Sequence, residues 1–202
     1  MSDILLYLLP GSMYFWILFV GQGAMQEILA EKQTNLAARI LSCPVRPGEY
    51  ILSKMLRCCI LCALTLALLL VVTGLIFGIH WGHPLLLLPV VVAWALSMTG
   101  LLSLIFSIVR TREQANVLSP LILLFLALLG GSMFPYENLP RLLQAIGRYS
   151  PNRWGVVALQ GVARAKPWAD WAGACGALLG LGAAGIVLAF FLFARQAAKG
   201  SR

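Results

Sequence analysis

Charge is what this chain has little of. Only 11% of its 202 residues are Asp, Glu, Lys or Arg, whereas a soluble domain carries about 25%. That shortage excludes an ordinary water-soluble fold. Other absences narrow the function. No GxxxxGK[ST] phosphate loop occurs, so this chain does not hydrolyse ATP itself. The two histidines, His80 and His83, share one small connector with Trp81 and Pro84. No carboxylate or third ligand lies near them in sequence, so they read as interfacial polar residues rather than a metal site. Cys59 and Cys62 form a CxxC beside Cys58, but they open an apolar stretch, where redox or zinc chemistry lacks the polar, accessible setting it needs. Five cysteines without an obvious outer pair do not make a disulfide framework. Ser97, Thr99 and Ser103 have no His, Asp or Lys partner in an apolar run, which argues against an intramembrane protease. Such hydroxyls more often help helices pack. No basic stripe with interleaved aromatics is present, which argues against nucleic-acid binding.

Hydrophobic residues make up 60% of the chain. They gather into long runs, and a run of about 18 or more reads as a transmembrane helix. Such runs satisfy their own backbone hydrogen bonds inside hydrocarbon only as helices or closed barrels, and Leu-rich runs do so as helices. The expected fold is therefore all-α and polytopic, with spans at about residues 4–25, 56–79, 84–109, 116–133 and 171–194 in one membrane domain over 1–202. The fourth is the shortest, about 27 Å at 1.5 Å per residue; Gly130-Gly131 is placed to end it. In the fifth, Gly176 and Gly180 are expected to form a small-residue packing face. No charged residue falls at the centre of a span, which argues against an ion pump. The N-terminus lacks a basic n-region and a cleavage site before a soluble domain, so it reads as a mature helix.

Basic connectors mark the cytoplasmic side. Residues 27–57 carry Lys32, Arg39, Arg46, Lys54 and Arg57; the third connector carries Arg110 and Arg112; the tail carries Arg195, Lys199 and Arg202. The connector with the histidines carries no Lys or Arg. The expected arrangement is a multi-pass plasma (inner) membrane protein with the N-terminus outside and the C-terminus in the cytoplasm. Residues 134–170 must then lie outside although they hold Arg141, Arg148, Arg153, Arg164 and Lys166.

Two polar elements interrupt the apolar runs. In GGSMFPYENLPRLLQAIGRYSPNRW, residues 130–154, Leu139, Leu142, Leu143, Ile146 and Tyr149 recur at helical spacing. Asn138 is placed to cap this helix, Pro140 fits its first turn, and Ser150-Pro151 breaks it. Trp154, Val157, Ala158 and Gly161 begin a second short helix. Residues 135–161 thus read either as a hairpin dipping into the outer leaflet or as two helices lying flat with snorkelling arginines. The second element is AEKQTNLAARILSCPVRPGEYILSK, residues 30–54. Its helix, over 27–43, has a narrow apolar edge of Leu29, Leu36 and Ile40, with Glu31, Lys32, Gln33, Asn35 and Arg39 elsewhere, and Pro44 and Pro47 stop it. It reads as a solvated connector or as a helix that rests on lipid or docks in a partner's groove.

These two stretches resemble the permease subunit of type-2 ATP-binding-cassette (ABC) exporters. The connector shows that family's order of Glu31-Lys32, Thr34, Cys43-Pro44-Val45-Arg46, Glu49 and Lys54. The second stretch shows Phe134-Pro135, Glu137, Leu139-Pro140, an amphipathic turn and Ser150-Pro151. The resemblance implies a transport subunit that is not itself an enzyme. It implies a separate ABC ATPase that binds the ATP and contacts Glu31, Thr34, Arg39, Pro44, Arg46 and Lys54. It also implies a second permease copy, and an outer re-entrant hairpin, with Pro135, Glu137, Pro140, Arg148 and Pro151, that caps the exit. No cofactor is expected on this chain. The implied function is outward movement of a drug, lipid, polysaccharide or peptide. The alternative is a membrane assembly factor or scaffold, or an inactive truncated permease. The sequence departs from the family at Gln33, where a glycine is usual. The family has six spans, and this chain is expected to begin at the second.

Overall fold

Runs of leucine and valine with few charges close their backbone hydrogen bonds locally, and the chain is accordingly helical. The computed structural model describes residues 2–34, 39–40, 47–109, 111–132, 136 and 140–200. Among them the chain forms α1 (Ser2–Gln33), α2 (Pro47–Phe77), α3 (Pro84–Ile108), α4 (Arg112–Leu129), α5 (Arg141–Gly147), α6 (Pro151–Ala163) and α7 (Trp168–Gly200). No strand occurs among the described residues. Five of these helices contain stretches long and apolar enough to cross a bilayer: Leu8–Glu31, Gly48–Phe77, Pro84–Ile108, Arg112–Leu129 and Trp168–Phe193. The all-α, five-span reading is the observed architecture.

Local chemistry sets the helix ends. Pro84 opens α3, where its missing N–H costs nothing, and His83 Nδ1 accepts a hydrogen bond from the Leu85 N–H at 3.3 Å. Thr111 caps α4 by accepting from the Gln114 N–H at 3.2 Å. Gly131, at φ 75°, turns the chain after α4.

Two helices run further than their apolar stretches require. α1 continues through Glu27 and Glu31 to Gln33, so the polar segment after residue 25 begins as an extension of the first span. α2 begins at Pro47 rather than near residue 56. The cause is mutual: polar residues of α1 and α2 pair with each other and keep both helices wound. Of the expected connector helix, only Arg39 and Ile40 are described as helical beyond Thr34; Pro44 and Arg46 lie outside the described residues.

α3 is the centre of the bundle. Trp94, Met98, Leu102 and Phe106 are essentially buried, and its most extensive contact is with α7. The two run in the same direction and meet through glycine. A Cβ at Gly182 would stand 2.7 Å from the Leu96 carbonyl carbon, and one at Gly185 2.8 Å from that of Gly100. Small residues let backbones approach this closely. The packing face of α7 is thus Gly182 and Gly185, and the expected pair, Gly176 and Gly180, has nothing against it within 4 Å. Periodicity placed glycines on α7 but could not say which face meets α3. Outside the core, Leu64, Leu68 and Val71 of α2 stand exposed. An apolar face of this extent suits hydrocarbon rather than water.

Candidate functional site

At one end of the bundle, four charged side chains join α1 to α2. Lys54 donates to Glu31 Oε1 at 2.5 Å, and the Tyr50 hydroxyl donates to Glu31 Oε2 at 2.6 Å. The side chains of Lys54 and Glu31 are only 14% and 18% exposed. One turn nearer the bundle centre, Arg57 forms a bidentate pair with Glu27. Gln26 adds a bond from its amide to Asn116 of α4 at 3.2 Å. Of the residues expected to face an ATPase, Glu31 and Lys54 therefore face each other. Thr34 is exposed at the end of α1, where its hydroxyl donates to the Ala30 carbonyl at 3.1 Å. Arg39 is exposed as well. The i, i+4 spacing of Glu27 with Glu31, and of Tyr50 with Lys54, was the available signal for this clamp.

At the other end, α5 and α6 form a helical hairpin. α6 buries Pro151, Asn152, Gly155, Val156, Ala158, Leu159, Gly161 and Val162, leaving little of it free. Its far end lies at the surface of the bundle, where a Cβ at Gly82 would meet the Val162 carbonyl oxygen at 2.9 Å and Gly161 packs on Trp171. Its near end is deep. Tyr149 and Pro151 share a cavity of about 220 Å³ with Ser97, Leu101 and Leu104 of α3 and with Leu181, Ala184 and Leu188 of α7. These are mid-length positions of both helices. The 13 residues of α6 rise about 20 Å, so the hairpin runs from the bundle end to its middle.

Specific contacts hold it there. The Tyr14 hydroxyl donates to the Gly155 carbonyl at 3.0 Å, and the Tyr14 ring stacks on Trp94 with centroids 4.5 Å apart. Gly155 is required by this contact, since a Cβ there would stand 2.5 Å from Trp94 Cδ1. Asn152 donates to Ser132 Oγ at 2.8 Å, and the Ser150 hydroxyl donates to the Leu126 carbonyl at 3.3 Å. The tip carries Arg148, exposed, and α6 carries Arg153, whose guanidinium lies 4.0 Å over the Tyr136 ring. The hairpin thus carries two arginines, Arg148 exposed and Arg153 half-buried, beside spans that are free of charge at their centres. The sequence offered 135–161 either as a dipping hairpin or as two flat helices, and its pattern alone could not place Arg148 and Arg153. Pro140 precedes α5 and Pro151 opens α6; Pro135 and Glu137 lie outside the described residues.

Cys58 and Cys62 are buried, and the Cys58 thiol points to the Gly21 carbonyl at 3.8 Å. His83 caps α3.

A family profile described as "ABC-2 family transporter protein" matches residues 1–191 of this chain. The chain belongs to the ABC-2 transporter family. Among curated proteins, this ABC-2 chain is 28% identical over 173 residues to a protein of Bacillus subtilis (strain 168) named "Linearmycin resistance permease protein LnrN". That match covers 84% of the ABC-2 chain and 45% of the relative, so the chain spans just under half the relative's length. No solved structure matches it. ABC-2 permeases are transmembrane subunits, and ATP is hydrolysed on a separate subunit.

Proposed function

We propose that this ABC-2 chain is an exporter permease domain that moves substrate outward when a separate ABC ATPase presses on its charged end. The observation that carries this reading is the clamp of Glu31 with Lys54 and Tyr50, backed by Glu27 with Arg57. A force applied at Thr34, Arg39 or the segment up to Pro44 and Arg46 reaches α1 and α2 together, because the clamp makes their ends one body. α3 and α7 then follow through the tight core. The charged end is cytoplasmic in this account, where ATP is, with the C-terminus beside it and the N-terminus outside.

The hairpin is the re-entrant element of this reading. A helix lying flat on a membrane buries one face, whereas α6 is enclosed along both its faces by α1, α3 and α7. At about 20 Å it is too short to cross a core about 30 Å thick. The exposed Leu142, Ile146 and Tyr149 of α5 and its following turn offer an apolar strip to a second permease copy.

Coupling is tested by charge exchange. Glu31→Lys and Lys54→Glu should each uncouple ATP hydrolysis by the co-expressed ATPase from this permease while both subunits still reach the membrane. The double exchange should restore coupling. Full coupling in both single variants would remove the clamp from the mechanism.

A further inference from the structure

We propose that the cleft between the hairpin and α7 is a binding site for an amphiphile whose headgroup joins a phosphate to an ammonium, as in phosphatidylethanolamine. It rests on the permease reading, since a polar site at this depth serves passage across the bilayer; the test below measures binding alone. The cleft has a volume of about 590 Å³ and is lined by Arg148, Tyr149, Arg153, Trp154, Asp170 and the small residues Gly173, Ala174 and Ala177. Ligand cavities are typically about 300–1,000 Å³. No salt bridge occupies Arg148, Arg153 or Asp170 among the described residues. Charges beside membrane-spanning helices that converge on a cavity mark a pathway by default.

The apolar half of the site adjoins it. Tyr149 lines both the cleft and the 220 Å³ groove between α3 and α7, whose wall is Leu101, Leu104, Leu181 and Leu188. Ala177, Leu181, Ala184 and Leu188 follow one another along one face of α7 at helical spacing. The cleft and groove therefore read as one continuous track. Ser97 also lines the groove, and its hydroxyl is buried with no partner among the described residues. A buried hydroxyl without a partner is costly, and an ester carbonyl of an acyl chain would satisfy it.

The order of groups along the track selects the ligand. The groove takes an acyl chain. Arg148 at the tip and Arg153 on α6, whose guanidinium also lies over the Tyr136 ring, line the cleft next, and guanidinium forks suit a phosphate. Asp170 stands at the outer mouth, in the first turn of α7, and takes an ammonium. Trp154, which lines the same cleft, offers an aromatic face to the cation. Chain, phosphate, ammonium is the order in a phosphatidylethanolamine.

The test uses the full chain, purified in detergent and observed by native mass spectrometry with phosphatidylethanolamine, phosphatidylglycerol, diacylglycerol or free phosphoethanolamine. The expected order of retention is phosphatidylethanolamine, then phosphatidylglycerol, with neither diacylglycerol nor free phosphoethanolamine held. Arg148→Gln with Arg153→Gln should weaken phospholipid retention at least about tenfold, the loss expected for charge-assisted hydrogen bonds. Asp170→Asn should erase the preference for phosphatidylethanolamine over phosphatidylglycerol. Ala177→Trp, which fills the cleft and removes no charge, should block retention and so guards against misfolding of the arginine variant. Undiminished binding in both the arginine variant and Ala177→Trp, or equal retention of diacylglycerol, would overturn the site. Those results would leave the permease reading intact, because ATPase coupling is measured separately.

Discussion

Single residues set the close approaches on which the bundle depends. Gly155 lies against Trp94 and under the Tyr14 hydroxyl. Gly155→Leu should force the hairpin off α3, at about 1–3 kcal/mol for overpacking a tight core. Thermal unfolding in detergent should show a lowered midpoint, and an unchanged midpoint would mean that the hairpin is not seated there. Glu31 is the other decisive residue. Its removal leaves the Lys54 ammonium and the Tyr50 hydroxyl without their acceptor in a mostly enclosed position. Glu31→Ala should therefore destabilise the domain by about 1–3 kcal/mol. Glu27→Ala should cost only about 0–1 kcal/mol, because the Glu27 and Arg57 side chains are 40% and 50% exposed. Chemical denaturation of the two variants side by side checks this, and equal losses would contradict the ranking.

At the scale of elements, apolar length and charge foretold more than did polarity. The five spanning helices were legible because a run of leucine and valine leaves the backbone no solvent to bond with. The ends of α1 and α2 were not, because the pairing of Glu27 and Glu31 with Arg57 and Lys54 is a long-range fact that no local pattern contains. The hairpin was half legible. Pro140 and Ser150-Pro151 marked its helix boundaries, but depth depends on what surrounds α6, and that is set by Trp94, Tyr14 and Trp171 from elsewhere in the chain. The same limit applies to α7. Its glycines were visible, yet only the packing shows that Gly182 and Gly185 meet α3 while Gly176 and Gly180 stand open. Gly182→Leu should therefore abolish stable folding, and Gly176→Leu should leave the unfolding free energy of the monomer within about 0.5 kcal/mol of the parent. A large loss from Gly176→Leu would show that the open face is covered.

For the molecule as a whole, the two ends carry different chemistry. One end locks α1 to α2 through mostly enclosed and half-exposed charge; the other packs a short hairpin against spanning helices, with Arg148 exposed at its tip. In the proposed reading this division lets force enter at one face and substrate leave at the other. Membership of the ABC-2 family gives the general role, and the residues at each end give the proposed working parts. The direct test of that division is site-specific photo-crosslinking in membranes of cells that co-express an ABC ATPase. A photoreactive residue is placed at Thr34, on the charged end, or at Arg164, beyond the end of α6. The account predicts an ATPase adduct from position 34 and none from position 164; an adduct from position 164, or none from position 34, would contradict it.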